Sequence, residues 1–159
     1  MLRFGLGVDV HPFALKRPLV LGGVKIPSSQ GLAGHSDADV LVHALMDALL
    51  GAAGLGDIGQ HFPSSDPAYA GADSLELLER ILGLLADRGF FPRQVDCTLL
   101  AERPALAPYY QKIREKLAGA LGLSPDRVSV KATTTEKLGF IGREEGLAAL
   151  VLAVIEGPD

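Results

Sequence analysis

The run LAALVLAVI at residues 147 to 155 is apolar at every position, and it narrows the fold more than any other stretch. It is far too short to span a bilayer. A strand that is apolar at successive positions is ordinarily covered on both faces. In a chain of 159 residues, enough for one sizeable core and little more, helices can cover one face and a neighbouring subunit the other. We expect a single domain over residues 1–159.

Charge and cysteine content restrict the function classes. The formal net charge is only -4, with no basic stripe or acidic tail, which argues against a nucleic-acid partner. The lone cysteine, Cys97 in VDCTLL, excludes an internal disulfide framework and suits a reducing compartment. No apolar leader precedes the first charge, so a soluble cytoplasmic protein is expected.

Along the chain, LRFGLGVDV reads as a strand and PLVLGGVKI, with Gly22 and Gly23 at its middle, as a short hairpin. GLAGHSDADVLVHALMDALLGAAG supplies a long helix, with Ser36 predicted as its N-cap and Asp37 and Asp39 favouring its positive end. GLGDIGQHFPSSDPAYAGA reads as a loop, of a length more often functional than idle. Asp73, with Glu76 in capping-box spacing, opens a helix over SLELLERILGLLADR that stops at Gly89. QVDCTLLAE alternates as a strand. LAPYYQKIREKLAGALG is a helix entered near Pro108 and closed at Gly122, VSVKA a strand, and TTTEKLGFIGREEG a polar loop before the final strand. Strands and helices mix without strict alternation, so the fold class is α+β, a mixed β-sheet with helices packed on one face. No G-x-x-x-x-G-K-[ST] loop is present, nor a G-x-G-x-x-G turn between a strand and a helix, which removes the common nucleotide folds.

The chemistry-bearing residues cluster early. All four histidines, His11, His35, His43 and His61, fall within the first 61 residues. In GVDVHPF an extended backbone sends Asp9 and His11 to one face and Val8 and Val10 to the other. A D-x-H pair alone is weak, since strands also carry ordinary polar groups. His43, mid-helix where the pattern favours a hydrophobe, completes a set of two histidines and a carboxylate, the ligand types that hold zinc with a coordination position left open. Asp47, one turn after His43, either fixes that imidazole's tautomer or is a solvated helix-face charge. His35 and Ser36 at the helix entrance suit an anion, or are an exposed neighbour and a cap. The threonines of KATTTEKLGF and the carboxylates Asp57 and Asp66 offer polar contacts, and are also ordinary loop and turn chemistry.

Taken together, GVDVHPF, GHSDADVLVHALMDALLGAAGLGDIGQHFP, KATTTEKLGF and GREEG resemble the 2-C-methyl-D-erythritol 2,4-cyclodiphosphate synthases of the non-mevalonate isoprenoid pathway, in order and over essentially the whole chain. The resemblance implies a homotrimer with active sites at the subunit interfaces. It also implies an intramolecular phosphoryl transfer: the 2-phosphate of 4-diphosphocytidyl-methylerythritol 2-phosphate attacks the β-phosphorus of its own diphosphate, closing a cyclic diphosphate and expelling CMP. Some relatives fuse this domain to a cytidylyltransferase.

Carried over by position, the resemblance makes Asp9, His11 and His43 the zinc ligands, with a diphosphate oxygen at the open position. Glu136 becomes the ligand of a magnesium or manganese ion that arrives with the diphosphate. His35 and Thr134 would orient the phosphates and stabilise the transition state. Ser36, the Asp57-Ile58-Gly59 turn and Phe62, Pro63, Ser64, Ser65 and Asp66 match the methylerythritol-phosphate pocket. Ala101, Glu102, Arg103, Pro104, Ala105, Leu106 and Ala107, with Thr133 and Thr135, match the cytidine side. Phe140 and Arg143 match further substrate contacts; Arg143 and Glu145 also match positions near the trimer axis, where relatives have an apolar cavity able to take isoprenoid diphosphates. The chain departs from the pattern at Ser64, where relatives often carry Asp, which leaves Asp66 as the segment's carboxylate for the polyol, and at Ala105, where many carry Lys. Two other functions fit the same residues: a zinc phosphohydrolase, and a non-catalytic trimer that binds nucleotide or isoprenoid diphosphate.

Overall fold

A computed structural model describes residues 1–159. Seven strands and five helices follow in the order β1 (Leu2–Ala14), β2 (Leu19–Leu21), β3 (Val24–Ile26), β4 (Gly31–Leu32), α1 (Val40–Ala53), α2 (Ile58–His61), α3 (Ser74–Ala86), β5 (Phe91–Leu100), α4 (Tyr110–Leu121), β6 (Val128–Thr133), α5 (Gly139–Gly142) and β7 (Gly146–Glu156). Five strands form one mixed sheet in the order β4-β1-β7-β5-β6, in which only β5 and β6 run parallel. The strands β2 and β3 form a separate hairpin whose turn residues, Gly22 and Gly23, both have positive φ, as a tight two-residue turn requires. No helix is long and apolar enough to cross a membrane.

Helices cover one sheet face. On β5 the inward side chains Val95, Cys97 and Leu99 are buried, and on β7 so are Ala149, Val151, Ala153 and Ile155, all against a core supplied mainly by α1 and α3. Burial pushes the Cys97 thiol up to about 12. The helix α1 is apolar almost all round and buried at 12 of its 14 positions, because it lies between the sheet and the outer helices. Within one subunit β7 is covered on both faces only at its start: from Leu150 on its burial alternates. The uncovered face carries Phe4 and Leu6, each 65% exposed, Val8, Val10 and Leu152, the last 43% exposed.

The strand β1 lies unusually close to α1. A Cβ built on Gly5 would stand 1.9 Å from the Ala48 carbonyl oxygen, and one on Gly7 1.9 Å from that of Ala44. Only glycine permits this approach. Since alternate residues share a face, the next two positions on that side are Asp9 and His11, and they meet the next turn of α1, which carries His43.

Three local expectations need correction. The N-cap of α1 is Asp39, not Ser36. Its fully buried carboxylate accepts from Val42 N and also from the hairpin amides of Gly22 and Gly23, at 3.1, 3.0 and 2.7 Å, so one side chain serves two elements. The segment after α1 is no structureless loop: it folds as α2, capped by Asp57 through Gln60 N, and a 3-10 turn at Pro67–Tyr69 capped by Asp66 through Ala68 N. The TTTEK segment likewise leads into α5.

Candidate active site

Three donor atoms converge where β1 meets α1. His11 Nε2 lies 2.8 Å from Asp9 Oδ2, His43 Nδ1 lies 3.2 Å from the same oxygen, and the two ring nitrogens are 3.2 Å apart. His11 Nδ1 donates to the Ala33 carbonyl at 2.7 Å, which in a neutral ring leaves Nε2 bare. His43 Nε2 is in contact with the hydroxyls of Ser36 and Ser74, at 3.1 and 3.0 Å, and Nδ1 is the nitrogen turned to Asp9.

Such a triangle of lone pairs repels unless a positive charge sits in it. In the metal-free protein a proton does part of this. Burial works against charge at both groups, yet the hydrogen bond from His11 and the closeness of both rings hold the Asp9 carboxyl down at about 2. The bond to Asp9 and that to the Ala33 carbonyl likewise outweigh burial and raise His11 above its ordinary value. One proton satisfies one edge of the triangle; a divalent cation satisfies all three corners. A tetrahedral ion with bonds of about 2.0–2.1 Å sets its donors roughly 3.3 Å apart, and donor type and spacing here both fit.

Asp47 does not hold His43: its carboxylate accepts the Ile58 amide at 2.8 Å and so anchors α2 to α1. The groups that do touch the outer nitrogen, Ser36 and Ser74, come from the loop before α1 and the first position of α3.

A cavity of about 270 Å³ opens beside the triad, lined by Asp9, His11, His43, His35, Ser36, Ile58, Gly59, Phe62 and Ser64, with Met46, Tyr69 and Leu77 as its apolar wall. Asp57, Pro63, Ser65 and Asp66 lie outside the lining, and Asp66 reaches it through its carbonyl, which accepts from His35 Nε2 at 3.2 Å. No spacing pattern points to Met46, Tyr69 or Leu77, which read as ordinary core.

The remaining site residues form a second group. A cavity of about 210 Å³ is lined by Ala101, Glu102, Pro104, Ala105, Leu106, Ala107, Thr133 and Thr134. The Glu102 carboxylate, part of that lining, accepts the amides of Thr135 and Lys137 at 3.2 and 2.8 Å. It thereby braces a turn in which Glu136 and Lys137 both have positive φ. Thr134 Oγ1 lies 3.5 Å from Glu136 Oε1. Arg103 pairs with Glu144 at 3.5 Å and Arg143 with Glu145 at 3.1 Å, while Phe140 is exposed. Register puts His11 opposite Leu147, and Thr133 opposite Leu100, itself beside Ala148. Both groups thus sit at one end of the sheet, but β7 and β5 separate them by about 14 Å.

A model of the YgbB family matches residues 2–156. The chain belongs to the YgbB family. It is 62% identical over 153 residues to a 2-C-methyl-D-erythritol 2,4-cyclodiphosphate synthase of Symbiobacterium thermophilum, covering 96% of this chain and 98% of that one. Among solved structures it is similar to the bifunctional IspDF from Campylobacter jejuni, with 45% identity and a TM-score of 0.95, over 100% of this chain and 43% of that longer one. It is also similar to a CDP complex of IspF from Plasmodium falciparum, with 28% identity and a TM-score of 0.86, over 99% and 97% of the two chains. The mixed sheet and its helices are therefore those of the YgbB family.

Proposed function

We propose that this chain is a 2-C-methyl-D-erythritol 2,4-cyclodiphosphate synthase, closing 4-diphosphocytidyl-2-C-methyl-D-erythritol 2-phosphate into the 2,4-cyclodiphosphate with release of CMP. The observation that carries this reading is the converging donor set of Asp9, His11 and His43, opening onto a cavity shared with His35 and Ser36, in a chain 62% identical to a synthase of that name. Neither the phosphohydrolase nor the non-catalytic trimer finds support among these relatives.

The attacking phosphate is already an anion, so no strong base is required; the Ser36 and Ser74 hydroxyls touch only the outer nitrogen of His43, a ring read here as a metal ligand. What the reaction needs is orientation and relief of negative charge. Asp9, His11 and His43 hold zinc or another divalent metal, which when bound withdraws charge from phosphoryl oxygens. His35 and Ser36 hold the 2-phosphate, and the backbone of Asp57-Ile58-Gly59 with Phe62, Pro63, Ser64, Ser65 and Asp66 encloses the polyol. Residues Ala101 to Ala107, with Thr133 and Thr135, receive the cytidine, and Phe140 and Arg143 make further contacts. Thr134 positions the diphosphate, with Glu136 as protein ligand for magnesium or manganese.

The two groups of residues lie too far apart within one subunit to grip one phosphate chain. We therefore assign the working form as a homotrimer of single-domain subunits, in which the nucleotide half of one subunit meets the metal half of the next. The exposed apolar sheet face supports this assembly, and an isoprenoid diphosphate is a candidate guest on its axis. A lone buried thiol suits the cytoplasm.

The test is to incubate the purified chain with the diphosphocytidyl substrate, zinc and magnesium, and to follow CMP and the cyclic product by mass spectrometry. CMP released with a product of cyclodiphosphate mass is expected. An uncyclised hydrolysis product would overturn this reading in favour of a phosphohydrolase, and binding without turnover would leave only a binding protein.

A further inference from the structure

Resting on the reading of Asp9, His11 and His43 as a metal centre, we propose that Ser74 and Asp37 are positioning residues for His43, together holding its imidazole in the tautomer that leaves Nδ1 free to ligate. Ser74 opens α3 and is fully buried. Its Oγ lies 3.0 Å from His43 Nε2, while its own hydroxyl donates to Asp37 Oδ1. The Ser74 backbone amide donates to the other Asp37 oxygen at 2.9 Å.

The hydroxyl hydrogen is therefore committed to the carboxylate, and the serine oxygen has only lone pairs to offer the histidine. Nε2 must bring the proton, and a neutral imidazole has only one. Nδ1 is then bare, at 3.2 Å from both Asp9 Oδ2 and His11 Nε2. The opposite tautomer would set the Nε2 lone pair against that of Ser74 around a ring only 8% exposed, with the Ser36 hydroxyl as the sole donor within reach of it. Ser36 Oγ, 3.1 Å from Nε2, already accepts the Ala38 amide at 3.3 Å and can serve the same N–H as a second acceptor. Charge on Asp37 also strengthens the chain of bonds and makes Nδ1 a better donor to a cation. His11 is held in the same way by the Ala33 carbonyl, so the two ligating rings have their outer nitrogens tied to different parts of the chain.

The test uses the full-length chain stripped of metal. Zinc is titrated against a competing chelator, and the protonation of the His43 ring nitrogens is read from long-range 15N–1H correlations. We expect the Nε2–H form in the wild type before any metal is added. Ser74→Ala is expected to weaken zinc binding by about 10- to 100-fold and to mix the tautomers, whereas His43→Ala abolishes the site. Where Ser74→Ala does not fold, Asp37→Asn at its half-buried position is measured instead, with a smaller loss in the same direction. Unchanged affinity and an unchanged tautomer in the substituted chain would overturn the assignment while leaving the metal centre standing. Zinc binding insensitive to His43→Ala would overturn the metal centre itself, and the roles of Ser74 and Asp37 with it.

Discussion

Asp9 and His11 stand side by side because an extended backbone alternates its side chains, and that much is legible in GVDVHPF. The partner of His43 is not. Helical spacing offers Asp47, but Asp47 is taken by the Ile58 amide, and the group that meets the ring comes from Ser74, 31 positions away in sequence, through a packing contact that no local pattern encodes. Ser36, Asp37 and Asp39 are equally good caps by type; the hairpin amides of Gly22 and Gly23 select Asp39. At this scale the triad also has a pH signature. The depressed Asp9 carboxyl gives the metal-free protein stability above its ordinary 3.8 that is lost as pH falls toward 2. The raised His11 contributes below its ordinary 6.5 and is lost as pH climbs through its folded value. In chelator-treated protein, the melting advantage of wild type over Asp9→Asn should therefore be greatest between about pH 4 and 6.5, at about 2 kcal/mol, and vanish near pH 2. A difference that does not fall between about pH 4 and 2 would contradict the ion pair.

Between β1 and α1, two glycines set the spacing that brings a strand's ligands to a helix's ligand. An alanine at Gly7 would force its Cβ into the Ala44 carbonyl, so strand and helix must part and carry Asp9 and His11 away from His43. We expect Gly7→Ala to cost at least about 2 kcal/mol of stability and at least about tenfold in zinc affinity without touching a ligand. Gly51→Ala, in α1 where a Cβ would meet nothing, should instead gain about 0.5–1 kcal/mol. Thermal melts and zinc titration of the two variants check both statements; equal effects would show that the close approach is not what positions the ligands. Most elements were legible from periodicity and turn residues. The short helix α2 was not, since a four-residue turn has too little periodicity to register and depends on the caps at Asp47 and Asp57.

For the whole molecule, the sheet's uncovered face is the main unspent source of stability. Burying a side chain such as Phe4, Leu6 or Leu152 is worth about 1.5–3 kcal/mol, and several lie on adjacent strands, with Leu6 opposite Leu152 in register. The apolar run in β7 announced a strand covered on both faces; within one subunit the cover is one-sided from Leu150 on, and the proposed trimer would supply the rest. Leu6→Asp should therefore shift sedimentation from trimer to monomer and abolish turnover, while the monomer still binds zinc. A variant that stays trimeric would move the interface elsewhere. The buried Cys97 gives this molecule a clock. With its thiol up near 12 and sealed between sheet and helices, it should ignore a thiol reagent in the native state and react only when the core opens. Labelling rates, followed by mass at neutral pH, then count opening events directly: zinc should slow them by tightening the seam between β1 and α1, and a rate independent of metal would mean that the seam and the core come apart separately.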